Sequence, residues 1–115
     1  GIKAKNFGTS LSISADNVYG GEYGIRAENR GSGDLFISVA GTVEAGQNGY
    51  GIFGLGYNSN TVITTGRSSL VKGEDGGIFA SSTNGSSIDI TVEGVVQANS
   101  GLASEERNAF FNSLK

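Results

Sequence analysis

A chain of 115 residues is one domain by length, and a net charge of −3 argues against a phosphate-binding surface or a nucleic-acid partner. Cysteine, histidine, methionine and tryptophan are absent, which removes zinc and thiol chemistry and the usual general base. Twenty glycines stand beside no proline, with few charges and recurring Val, Ile and Leu, so the glycines read as corners of a regular β structure rather than a disordered linker.

Along the chain one phrase returns: Gly1-Ile2-Lys3-Ala4, Gly24-Ile25-Arg26-Ala27, Gly51-Ile52-Phe53-Gly54 and Gly77-Ile78-Phe79-Ala80. The steps between the leading glycines are 23, 27 and 26 residues (24 − 1, 51 − 24, 77 − 51). A period of this size marks a solenoid, in which one coil cannot bury its apolar face alone. After each phrase comes a polar corner: Asn6-Phe7-Gly8, Asn29-Arg30-Gly31, Asn58-Ser59-Asn60, Asn84-Gly85. A second strand alternates with period two, as in Leu11–Ala15, Leu35–Val39 and Ile88–Val92, with a weaker version in Val62-Ile63-Thr64. A third, shorter piece follows at Val18-Tyr19-Gly20, Val43-Glu44-Ala45, Leu70-Val71-Lys72 and Val95-Val96-Gln97-Ala98.

Three strands and three corners per coil predict an all-β fold, a right-handed, three-sided parallel β-helix of about four coils over residues 1–101. The expected inward columns are Ile2/Ile25/Ile52/Ile78, Leu11/Leu35/Val62/Ile88, Ile13/Ile37/Thr64/Ile90 and Val18/Val43/Leu70/Val95, which makes Thr64 the expected weak point. Each buried large aliphatic contributes on the order of 1.5–3 kcal/mol. The third position of the phrase faces solvent, so Lys3, Arg26, Phe53 and Phe79 form an outer column. Phe53 should stack on Phe79, and with Arg26 these make the candidate interaction surface. Tyr19, Phe36 and Tyr50 look scattered.

Residues 102–115 read differently, as a C-terminal capping helix. Ser104 is a plausible N-cap, Glu105 and Glu106 fill the first turn and Lys115 the last. Arg107, Phe110, Phe111 and Leu114 fall on one side, and Phe110, Phe111 and Leu114 are the expected capping residues over the last coil's open edge. The run Arg107-Asn108-Ala109-Phe110 and Ser113-Leu114-Lys115 is similar to the second helix of the IgG-binding three-helix domains of staphylococcal protein A. That resemblance implies an Fc contact at Asn108, Phe111, Asn112 and Lys115. Two of the four differ from the family and no first helix precedes them, so antibody binding is not expected and a borrowed cap is.

The repeats themselves, in Gly24-Ile25-Arg26-Ala27-Glu28-Asn29, Gly31-Ser32-Gly33-Asp34-Leu35-Phe36-Ile37 and Gly41-Thr42-Val43, resemble the passenger repeats of bacterial autotransporters. The resemblance implies a β-helix displayed at the surface of a Gram-negative bacterium, commonly as an adhesin stalk, with a host-surface protein or glycan as partner. A start inside a repeat, without Met, points to an excised or engineered fragment. No bilayer-spanning apolar stretch is present, so no membrane insertion through a helix is expected. Gly1 to Ala15 present strand edges through which the chain can self-associate.

The same fold hosts pectate lyases, so carboxylate clusters matter. Asp16, Asp34, Asp75 and Asp89 occupy different parts of their coils. Glu44 and Glu93 look equivalent but two coils apart, with Arg67 between them. Glu74-Asp75 lacks calcium-loop spacing, and Thr42, Thr64, Thr65 and Thr91 make no ice-binding array. The sequence thus predicts no catalytic, cofactor or metal site, and a non-enzymatic structural and adhesion module. A carbohydrate-active enzyme and a designed self-assembling scaffold are the alternatives.

Overall fold

The computed structural model describes residues 1–46, 49–84 and 86–98, together with the backbone of 109–113. The chain winds into a β-solenoid whose coils each give one strand to each of three parallel sheets. The first sheet runs β1 (Ile2–Asn6), β4 (Ile25–Asn29), β7 (Tyr50–Gly56), β10 (Gly76–Ser82) and β13 (Ala109–Ser113). The second holds β2 (Leu11–Ala15), β5 (Leu35–Val39), β8 (Thr61–Thr65) and β11 (Ile88–Val92). The third holds β3 (Val18–Gly20), β6 (Thr42–Ala45), β9 (Leu70–Gly73) and β12 (Val95–Ala98).

Ile2, Ile25, Ile52 and Ile78 pair residue for residue and form the predicted column, with the last three fully buried. The glycine before the isoleucine is needed at Gly1, Gly24 and Gly51 because the corner brings backbones together. A Cβ on Gly51 would lie 2.6 Å from Val71 Cγ1 and 2.9 Å from the Gly77 carbonyl oxygen. The polar corners carry their own ladder. Asn29 is buried, accepts from Asn6 Nδ2 at 2.9 Å and from the Gly31 amide at 3.0 Å, and donates to the Gly33 carbonyl at 2.8 Å. Asn58 and Asn84 adopt positive φ at equivalent corners, 59° and 61°, a conformation asparagine tolerates, and Asn84 Nδ2 donates to Asn58 Oδ1.

Several predicted columns are corrected in the third and fourth coils. Leu11 and Leu35 continue into Thr61 and Ile88, not through Val62, and Ile13 and Ile37 continue into Ile63 and Ile90, not through Thr64. Thr64 points outward and is exposed, so it is no weak point; Thr61 and Thr65 are the polar residues inside. The reason is corner length. From the Ile column to the second strand the chain takes 9, 10, 9 and 10 residues in successive coils (11 − 2, 35 − 25, 61 − 52, 88 − 78). Reading the third corner one residue too long turns every side chain of β8 to the wrong face. In the third sheet the inward column is Val18/Val43/Val71/Val96, so Leu70 and Val95 are not its members; Val95 is half exposed.

The tail also differs. Ala109–Ser113, expected within a helix, forms a strand that pairs in parallel with β10, from Ile78↔Ala109 to Ser82↔Ser113. An isolated helix of about a dozen residues is marginal in water, whereas the edge of β10 offers a row of unpaired backbone donors and acceptors. The aromatic pair Phe110-Phe111 suits a strand as well as a helix. Residues 102–108 and Leu114, to which the rest of the capping helix was assigned, lie outside the described residues, as do the side chains of Phe110 and Phe111.

Candidate functional site

The outer face of the first sheet gathers a cluster of half-buried rings with cations beside them. Parallel, in-register pairing sets equivalent residues about 4.8 Å apart along the stack, so like stacks on like. Lys3 pairs with Arg26, Arg26 with Phe53, and Phe53 with Phe79, as predicted. The Phe53 and Phe79 rings are stacked, with centroids 4.7 Å apart and planes 9° from parallel. By backbone register Phe110 takes the next position after Phe79.

Two tyrosines belong to the same cluster: Tyr50, which looked scattered in the sequence, and Tyr23, which was not singled out there. Tyr23 lies 5.0 Å from Phe53, and Tyr50 lies 5.9 Å from Phe53 and 5.4 Å from Phe79, edge-on to the latter. Their signal was available: each stands two residues before the column isoleucine, in Tyr23-Gly24-Ile25 and Tyr50-Gly51-Ile52. Arg26 lies against the Tyr23–Phe53 ring pair, its guanidinium carbon 5.7 Å from both centroids, within cation–π range. Its Nε–H is buried and meets no acceptor among the described residues.

A second outward column, Lys5/Glu28/Leu55/Ser81, is electrostatically closed. Glu28 Oε2 accepts from Arg30 Nε at 2.8 Å and lies 3.4 Å from Lys5 Nζ. The Arg30 hydrogen bond, helped by the charges of Arg30 and Lys5, holds the Glu28 carboxyl below the usual carboxylate range, against a smaller upward push from burial. The same bond raises Arg30. Arg30 also covers the Tyr57 ring at 4.6 Å, and Lys5 stands 6.0 Å from the Phe7 ring. Beside Arg26 a groove of about 320 Å³ opens between Lys3, Glu22, Tyr23 and the bare backbone of Gly20 and Gly21.

Elsewhere the polar residues are dispersed. Glu44 pairs with Tyr19 and Lys72, and Lys72 with Gln97; Glu93 lies outside that column, so Glu44 and Glu93 are not equivalent. Asp89 shares its column with Val62, Phe36 and Ser12, and Asp34 accepts from the Asn60 amide at 3.3 Å. Among the described residues no three carboxylates come together to hold a metal ion. Thr64 and Thr91 do share a column, Ser14/Ser38/Thr64/Thr91, exposed along its length, but Phe36 and Asp89 interrupt the column beside it. Phe36 and Tyr19 are exposed and apart from the aromatic cluster. Compared with known protein families, with curated proteins and with solved structures, the chain matches none of them.

Proposed function

We propose that this chain is a non-enzymatic structural and interaction module, of the kind that builds stalks in autotransporter-like surface proteins, and that it meets its partner through the outer face of the first sheet. The observation that carries this reading is the stacked Phe53–Phe79 pair, extended by Tyr23, Tyr50 and Arg26 into one continuous strip. Cross-strand ring stacking itself stabilises the sheet by about 0.2–1 kcal/mol per pair, and a contiguous aromatic strip is also what a contact surface offers. Tyrosine and arginine are also the residues that dominate interface energetics. In this reading the winding is right-handed, as parallel crossovers generally are. The tail lengthens the first sheet by adding β13 to the edge of β10.

The partner in this reading is a glycan or protein on a host surface. The test is binding of the chain to immobilised host glycans and surface proteins, beside a Phe53→Ser/Phe79→Ser double variant. Saturable binding lost in the double variant, with the β-sheet circular dichroism unchanged, is the expected result. Release of product from a polysaccharide, or binding indifferent to both substitutions, would overturn the reading.

A further inference from the structure

We propose that the Lys3–Arg26 end of the aromatic strip is a receptor for a small organic anion carried on a flat ring, of the aromatic carboxylate or sulfonate class. This rests on reading the first sheet's outer face as the contact surface, and it names the chemistry recognised at one end of it.

Charge is the first argument. Four cations stand on or beside this face, and two of them, Lys5 and Arg30, are bound to Glu28. Arg26 and Lys3 have no carboxylate in ion-pair reach among the described residues, although the chain as a whole is acidic. They are register partners on neighbouring strands, about 4.8 Å apart at the backbone, so two like charges share one face with no carboxylate in ion-pair contact among the described residues. An anion between them relieves that repulsion.

Geometry is the second. Arg26 is half-buried and lies against the contacting rings of Tyr23 and Phe53, so its guanidinium is restrained before any ligand arrives. Its Nε–H already lacks an acceptor, and a planar guanidinium matches a carboxylate or sulfonate through parallel hydrogen bonds. The adjoining groove of about 320 Å³ is lined by Gly20 and Gly21, and the space where a Gly21 side chain would stand is open. That volume lies at the lower end of the range of small-molecule sites.

Glu22 is the third. Its carboxylate stands on the groove rim and repels a second negative charge, so the site favours a monoanion over a polyanion. The face therefore does not suit a nucleic-acid backbone, whose charges recur at short intervals.

The test uses 2-naphthoate as probe, followed by amide chemical shifts in nuclear magnetic resonance. Saturable shifts are expected at Lys3, Glu22, Tyr23, Arg26 and Phe53, weakening with added salt. Arg26→Gln should reduce affinity by about tenfold or more, the loss expected for a charge-assisted hydrogen-bond pair. Arg26→Lys should retain part of it, Lys3→Gln should lose less than Arg26→Gln, and Glu22→Gln should bind more tightly. The salt titration of the unaltered chain tests charge recognition even if a variant misfolds. Equal affinity for neutral 2-naphthamide, salt-independent binding, or no saturable shift at millimolar probe would each overturn the proposal. Failure of host-surface binding with naphthoate binding intact would sink only the adhesion reading, and the reverse pattern would sink only this one.

Discussion

Strands β5 and β8 lie side by side in the second sheet and fill the same interior with different chemistry: Leu35, Ile37 and Val39 in one, Thr61, Ile63 and Thr65 in the other. All six are buried to within a few per cent. In β5 the inward side chains are themselves all apolar, so burying them leaves no polar group of theirs to satisfy. In β8 two hydroxyls had to be brought out of water, and they fare differently. Ser82 Oγ lies 2.9 Å from Thr61 Oγ1 and 3.1 Å from the Ser87 carbonyl oxygen, and its single hydroxyl hydrogen serves either acceptor, so the Thr61 hydroxyl is absorbed into a small network. Thr65 Oγ1 has no partner among the described residues. A solenoid coil thus tolerates polar interior residues when its stacking register leaves no alternative, and each such residue costs stability according to whether a partner reaches it.

The contrast can be broken most strongly on the apolar side. Leu35→Ala should destabilise by about 2–5 kcal/mol, the range for emptying a close-packed aliphatic site, seen as a lower midpoint in urea unfolding. A loss well under that range would mean the coil collapses around the cavity and that β5 is not the firm half of the pair.

On the polar side the two threonines should respond with opposite signs. Thr65→Val keeps the shape and removes an unpaired hydroxyl, so the urea midpoint should rise, by about 1–2 kcal/mol in free energy. Thr61→Val removes the acceptor for Ser82 and should cost about 1 kcal/mol, with the Ser82–Ser87 bond left to limit the damage. If both substitutions stabilise, the Thr61–Ser82 bond contributes nothing net and the distinction drawn between the two sites fails.

The smallest expected effect sharpens the same contrast on the outer face, where Glu28 is paired as Thr61 is paired within. Its carboxyl is held below its ordinary value in the folded chain, so its contribution to stability is present above the unfolded-state value and is lost as pH falls through the folded one. Glu28→Gln should therefore be slightly less stable than the parent at neutral pH. The difference should vanish in acid below the ordinary carboxylate range, as read from thermal unfolding across pH. A difference that persists in acid would assign Glu28 a packing role rather than an electrostatic one.

How much of this was legible beforehand varies along the chain. The Gly-Ile column and its outer partners Lys3, Arg26, Phe53 and Phe79 could be read directly, because a glycine forced by close backbone approach keeps the spacing of its neighbours fixed. Tyr23 and Tyr50 repeat at the same offset, but a side chain at a corner can point several ways, and only the folded corner turns them onto Phe53 and Phe79. Thr61-Val62-Ile63-Thr64-Thr65 carries apolar residues at adjacent positions, so its pattern fits either face. Ala109–Ser113 carries signals for a helix and for a strand at once.

The sequence by itself determined that this is a β-solenoid with three strands per coil and one continuous outer column, since period, glycine placement and alternation are local properties that every coil repeats. Tertiary structure alone decided which face of β8 turns inward, which strand the tail joins, and that Arg26 lies against two rings with no carboxylate in ion-pair reach among the described residues. These depend on the residue count of each corner and on the edge or neighbour that the adjacent coil presents, and neither is written in the segment itself.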